Sequence, residues 1–281
     1  MKFLRSIVYI SIVAAMSATI VYFLGLQDFI ALAPEHNEPL TLNFDWIKEK
    51  KQTQLLFVGD MMFDRGIRYY AQKNGEYDFV LEEISKLLLG KNLVIGNLEG
   101  PVTDYQSKSI NTGVGNPNNF VFTFDPRITK TLFDNNIRAV TLGNNHISNF
   151  GREGIVQTKK YLDEQKITHF GSPDGPRSAS VELNNIRITF VAYNEFSYPP
   201  EPEAPAAIDE IKKVKNLSDI VIVYAHWGLE YKQEPRDSDR KLAHQFIDAG
   251  ADLVIGGHPH VIQSIETYKD KKIYYSLGNF I

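Results

Sequence analysis

Leu55-Leu56-Phe57-Val58-Gly59-Asp60 is a short apolar run that ends in a glycine and a carboxylate, and four more apolar runs likewise end in residue types that can bind a hard or borderline metal. Leu93–Ile95 runs into Gly96-Asn97-Leu98-Glu99, and Ala139–Leu142 into Gly143-Asn144-Asn145-His146. Ile220–Ala225 runs into His226-Trp227-Gly228, and Leu253–Ile255 into Gly256-Gly257-His258-Pro259-His260. These runs are short and rich in β-branched or aromatic residues, and most do not alternate with polar ones. That is the pattern of strands in a sheet covered on both faces. Ile188–Ala192 and Ile273–Tyr275 read as further strands.

Working outward, helical stretches fall between the runs. Asp78 to Leu89 is amphipathic and stops at Gly90; Asp125 and Pro126 cap and open a helix through Phe133. Arg152 to Gln165, Ala206 to Lys215 and Asp239 to Ala249 are predicted as further helices, and Asp104 to Asn119 as a long polar surface loop. Strands alternating with helices predict an α/β fold with a largely parallel sheet. In such a sheet the carboxyl ends of the strands share one edge, where ligands bind. Topology alone would therefore gather the residues that close the five runs. Carboxylate, amide and imidazole groups suit Mn, Fe or Zn as a divalent metal without any thiolate.

Each motif also has a plainer reading. Gly59-Asp60 is a common turn, Glu99 could be a solvated loop residue, and Gly-Asn-Asn-His could cap the next helix. His226 could be a packed strand-end imidazole. His258-Pro259-His260 is the most specific, because Pro259 biases His258 towards extended backbone and two histidines two apart can then share a direction. His169 and His244 read as structural, and His36 lies in a linker.

Composition narrows the classes. The formal net charge is −4, with cations scattered along the chain and no basic patch, which argues against nucleic acid. The absence of cysteine excludes disulfides, thiolate metal sites and a cysteine nucleophile. Lys2 and Arg5 precede Ser6 to Leu26, a run without a charged residue that matches the roughly 20 residues needed to span a membrane. It is longer than the apolar core of a cleaved signal peptide, and Pro34 follows the cleavage-like Ala31-Leu32-Ala33 directly. The expectation is a signal anchor over residues 1–26, a linker over 27–53 and one domain over 54–281. The positive-inside rule leaves the N-terminus cytoplasmic and the domain extracytoplasmic at the cell membrane.

Taken in order, Gly59-Asp60-Met61-Met62-Phe63-Asp64-Arg65, Asn97-Leu98-Glu99, Asn144-Asn145-His146, His226-Trp227-Gly228-Leu229-Glu230-Tyr231, Gly257-His258-Pro259-His260-Val261 and Ser276-Leu277-Gly278-Asn279-Phe280 resemble the CapA family. That family is associated with poly-γ-glutamate or capsule at the bacterial surface and is similar to calcineurin-like metallophosphatases. The resemblance implies a two-layered sheet sandwich flanked by helices. It implies Asp60, Glu99, Asn145, His226, His258 and His260 as metal ligands, His146 as the acid assisting a leaving group, Arg65 as holder of an anionic substrate, and Glu230 as the group orienting His226. It also implies an anionic polymer as substrate and a membrane synthase as partner.

Two departures stand out. The wider superfamily carries Asp-x-His at the first motif, where this chain has Met62, and an aspartate where it has Asn149. Family members also usually continue past the point where this chain stops, at Ile281. The functions in play are a metal-dependent hydrolase or transferase of capsule biosynthesis, a non-catalytic polymer-binding accessory subunit, and a general metallophosphoesterase. In the first, the metal acidifies a water and makes hydroxide near neutral pH.

Overall fold

The structure is a computed structural model that describes residues 8–12, 52–113, 115–197 and 203–281. Ten strands follow Val8–Ile12 (β1): Thr53–Met61 (β2), Leu93–Leu98 (β3), Ile137–Thr141 (β4), Thr168–Phe170 (β5), Ser178–Leu183 (β6), Ile186–Asn194 (β7), Ile220–His226 (β8), Leu253–Gly257 (β9), Ile265–Tyr268 (β10) and Lys271–Tyr274 (β11). Six helices lie between them: Arg65–Asn74 (α1), Ser85–Leu89 (α2), Arg127–Asp134 (α3), Gly151–Glu164 (α4), Glu203–Lys215 (α5) and Asp237–Ala249 (α6).

The strands form two sheets. One is wholly parallel, in the order β1-β2-β3-β4-β5. The other runs β10-β11-β9-β8-β7-β6, parallel at its centre and antiparallel at both edges. Burial explains why the strand sequences do not alternate. Leu55 and Phe57 of β2 point between the sheets, where they meet Ile188 and Phe190 of β7 and Ile222 of β8. Leu56 and Val58 point the other way, against Leu88, Ile128, Leu132 and Ile155 of the helices. Val221, Val223 and Ala225 of β8 face α5 and α6 through Ile211, Ala243 and Phe246. Both faces of the central strands are dry, so both of their strand periods are apolar. The result is a sandwich of two sheets between two helical layers, as the family resemblance implied.

Several elements differ from the sequence expectation. Asp78 to Leu89 is two short 3-10 turns and the five-residue α2 rather than one helix. Phe79, Leu87 and Leu89 stay exposed, so too little of this stretch is buried to hold a long helix. The edge strands β6 and β10 and helix α1 were not expected. Both edge strands arise from two-residue hairpins: Asn184-Asn185 and Lys269-Asp270 all have positive φ, the backbone of a turn that matches strand twist.

Val8–Ile12, within the expected anchor, are extended and pair with Thr53–Phe57 of β2. They shield what would otherwise be an open strand edge. The remainder of the expected anchor and the linker up to residue 51 lie outside the described residues. Among the described residues no helix is long and apolar enough to cross a membrane.

Candidate metal centre

The carboxyl ends of β2, β3, β8 and β9 meet on one rim, joined by the loop after β4. Asp60, one residue short of the end of β2, is buried. Its Oδ1 accepts from Asn97 Nδ2 at 2.8 Å and its Oδ2 from the His258 backbone N–H at 2.9 Å. Glycine makes this approach possible: a Cβ on Gly257 would lie 2.6 Å from Asp60 Oδ1. A Cβ on Gly59 would lie 1.9 Å from the Gly278 carbonyl oxygen, which accepts from Asp60 N–H at 3.0 Å. The terminal Ser276–Phe280 motif is thus docked on the end of β2, and Asn279 Oδ1 accepts from His260 Nδ1 at 2.9 Å.

Around Asp60 the predicted residues converge. His226 Nε2 lies 2.9 Å from Asn145 Oδ1 and 3.4 Å from Glu99 Oε1. His260 Nδ1 lies 3.4 Å from Asp60 Oδ2 and 3.8 Å from Glu99 Oε2. The His226 and His258 rings are 4.9 Å apart, and those of His258 and His260 5.8 Å. Three groups of ligand atoms each lie within 4.8 Å of one another: Glu99, His226 and His258; Asp60, Glu99 and His260; and Glu230, His258 and His260. The six residues expected from the sequence stand in one place.

Two buried atoms of this cluster, Glu99 Oε1 and His258 Nδ1, make no hydrogen bond. A buried acceptor left unpaired costs about 1–3 kcal/mol, and more when charged. A free carboxylate oxygen and a free imidazole nitrogen, on residues that each bring a ligand atom within 4.8 Å of the other, are donors a divalent ion takes, so the residues present fit such an ion.

The electrostatics point the same way. Burial pushes the Glu99 carboxyl well above its ordinary range, and the Asp60 charge adds to the rise. Burial would also raise Asp60, but the His260 hydrogen bond and the charges of His226 and His260 outweigh it and hold Asp60 low. Burial opposes charge on His260 too, yet Asp60 and Glu99 lift it to about 9. His226 is lowered to about 4 by burial, and His258 to about 3 by burial and its neighbouring imidazoles. His226 and His258 are thus neutral, the form that binds metal, while His260 and Glu99 would release their protons as an ion binds.

His146, Arg65 and Glu230 each have further partners. His146 is lowered to about 4, mainly by burial, so at neutral pH it carries no acidic proton to spare. Its ring packs on Phe122 at 4.3 Å, and its Nδ1 lies 3.1 Å from Asn149 Oδ1. Because that oxygen already accepts from Phe122 N–H at 2.8 Å, Nδ1 is the donor and Nε2 keeps the lone pair. Asn149 thus fixes the tautomer of His146, a task its amide oxygen performs without charge.

Arg65 is engaged in the chain itself. Its Nε and Nη2 donate to the Asn119 carbonyl at 2.9 and 2.7 Å, and the guanidinium lies 4.7 Å from the Phe122 ring centre. It braces the wall behind His146. Glu230 does not orient His226, whose Nδ1 faces Asn97 Nδ2 at 3.3 Å; it stands with His258 and His260 instead. Met62 is partly buried against the helical core, and its Sδ accepts from Asp64 N–H at 3.1 Å.

A network of amides that the sequence reading left unassigned holds the rim. Asn144 Nδ2 donates to Asn97 Oδ1 at 3.0 Å and to the Leu98 carbonyl at 2.8 Å, while its Oδ1 accepts from His146 N–H at 3.1 Å. Asn194-Glu195-Phe196, at the end of β7, is a sixth strand end of the same kind. Asn194 donates to the Asn144 carbonyl at 3.2 Å. Glu195 accepts from Gly228 N–H at 2.8 Å and from Arg236. The Phe196 ring lies 4.2 Å from that of His258. The recurrence that found the other five would have found this one. His169 and His244 pair with Asp163 and Glu266, away from the rim.

Comparison with known proteins agrees with the motif order. Residues 54–281 match the family described as Bacterial capsule synthesis protein PGA_cap. The PGA biosynthesis protein CapA of Bacillus subtilis is 31% identical over 245 residues, 80% of this chain and 62% of that protein. The capsule biosynthesis protein CapA of Bacillus anthracis is 27% identical over 253 residues, 83% of this chain and 61% of that protein. The chain therefore spans just over three fifths of the length of these relatives. A hypothetical protein from Thermus thermophilus shares the fold, with a TM-score of 0.52 at 19% identity over 80% of this chain and 75% of that one.

Proposed function

Because the chain belongs to the PGA_cap family of bacterial capsule synthesis proteins, we propose that it serves the making or export of a poly-γ-glutamate-like capsular polymer as a metal-dependent hydrolase or transferase. The observation that carries the reading is the pair of unpartnered buried donors, Glu99 Oε1 and His258 Nδ1, at the centre of the gathered ligand set. Asp60, Glu99, Asn145, His226, His258 and His260 would hold the ion. When bound, such an ion supplies hydroxide near neutral pH and polarises a phosphoryl or acyl oxygen. His146, neutral with its proton on Nδ1, presents Nε2 as a proton acceptor. An anionic substrate beside it would raise its pKa and let it return that proton to a leaving group.

The test is turnover of phosphoesters and poly-γ-glutamyl peptides by the full chain with Mn²⁺ or Zn²⁺. Metal-dependent product is the expected result; absence of both product and bound metal would overturn the reading. Met62 favours a second reading, an accessory subunit that binds the anionic polymer beside a membrane synthase, because the thioether offers the rim no ligand. That reading predicts salt-sensitive polymer binding that survives His258→Ala with His260→Ala.

We place the domain outside the cytoplasm, behind an N-terminal anchor. Lys2, Arg5 and the uncharged run to Leu26 support this. In the anchored form Val8–Ile12 leave β2 and join the membrane helix, so carbonate-resistant membrane association of the full chain is expected. Release into the soluble fraction would exclude the anchor.

A further inference from the structure

Two loops run side by side on the rim, and between them they carry one carboxylate that no role yet explains. The loop after β8 lies along the loop after β9: Trp227 N–H donates to the Gly257 carbonyl at 3.3 Å and Tyr231 N–H to the Pro259 carbonyl at 2.8 Å. A Cβ on Gly228 would lie 3.5 Å from the Pro259 ring. The first loop is pinned from behind, where Glu195 accepts from Gly228 N–H at 2.8 Å and is itself held by Arg236 at 2.6 Å. Arg236 also grips Asp239 of α6. This pairing brings Glu230 to His258 and His260, with one ligand atom of each of the three within 4.8 Å of the others.

Two features set this group apart from a chance cluster of surface charge. His258 is 5% exposed and its Nδ1 has no partner. Tyr231, His258 and His260 all adopt positive φ, at 59°, 91° and 59°, a conformation that costs side-chain-bearing residues energy and persists where the surroundings impose it.

We propose that Glu230 is itself a metal ligand, closing the solvent side of the centre by holding a divalent cation together with His258 and His260. The assignment rests on the metal-centre reading above and deepens it. Glu99 is the carboxylate shared by the two inner groups; Glu230 is the outer carboxylate, exposed to solvent, and so the one through which an ion can enter and leave.

The experiment is calorimetric titration of the full chain, stripped with chelator, with Zn²⁺ and with Mn²⁺. Wild type is compared with Glu230→Gln, Glu230→Asp and, as a control for loss of a nearby exposed charge, Glu234→Gln. Metal content is counted in each. Glu230→Gln should weaken at least one ion by about tenfold or more, since even groups outside the ligand shell cost 10–100-fold. Glu230→Asp should recover part of the loss and Glu234→Gln should match wild type, with the stripped proteins all melting together. If wild type binds metal and Glu230→Gln binds it equally well, Glu230 is no ligand while the centre stands. If wild type binds none, the centre itself falls and this assignment with it.

Discussion

Glu99 and Asp252 are carboxylates at opposite ends of the same sandwich, and they are treated in opposite ways. Asp252, just before β9, is saturated: Lys215 and Lys271 bond it at 2.8 and 2.7 Å, and Val221 N–H at 2.9 Å. Burial alone would raise its pKa, but these partners hold it below the ordinary value. Glu99, just after β3, is 2% exposed, has an oxygen without a hydrogen bond, and is raised well above its ordinary value. One end of the domain spends its polar groups on closing the fold. The other keeps groups unsatisfied, which is how sites built for a ligand differ from structural ion pairs.

Removing ligands at the rim is the most drastic change. His258→Ala with His260→Ala should abolish Zn²⁺ or Mn²⁺ binding. It should also remove the metal-dependent stabilisation of the wild type, which is about 2.7 kcal/mol at a hundredfold excess over Kd, read by thermal melts with and without chelator. Retained metal in the double variant would detach the rim from metal binding.

Next comes the contrast itself. Asp252→Ala should cost about 2 kcal/mol in urea unfolding, the range for hydrogen bonds to charged groups. Glu99→Gln, in chelator-treated protein, should cost nothing or gain, because it replaces a buried carboxyl whose Oε1 has no hydrogen bond and whose charged form burial disfavours. Equal losses for the two would mean that Glu99 and Asp252 do not differ in what they contribute to the fold.

The smallest effect is on pH dependence, and its sign differs between the two groups. Glu99 has a raised folded pKa, so it favours the fold at low pH and loses that contribution as pH climbs from about 4.5 through the folded value. Asp252 has a lowered pKa, so its contribution is full above about 4 and fades as pH falls through its folded value. Unfolding of chelator-treated wild type and Glu99→Gln across pH 4–8 should diverge, with the wild type losing ground towards neutral pH. Parallel curves would mean that Glu99 is not raised.

The shared rim was legible because parallel topology needs no side-chain detail. Dry faces on both sides make the strands continuous and apolar, and their shared direction collects Asp60, Glu99, His226, His258 and His260 at one rim. What was not legible depends on contacts across long sequence separations. That Arg65 bonds the Asn119 carbonyl, and that Asn97 rather than Glu230 faces His226, follows from packing between segments that no local pattern links. The Asp78 to Leu89 stretch has helical spacing, yet it lacks the buried face that would make a full helix worth forming. The β6–β7 hairpin was marked by Asn184-Asn185, a turn pair whose tolerance of positive φ is readable in sequence.

The centre can be tested most directly by anomalous diffraction at the zinc or manganese edge from crystals of the full chain grown with that metal. An anomalous peak at about 2.0–2.2 Å from both a Glu99 oxygen and a His258 ring nitrogen is what the rim predicts. A well-ordered rim with no anomalous density, and water bridging those two atoms instead, would contradict it.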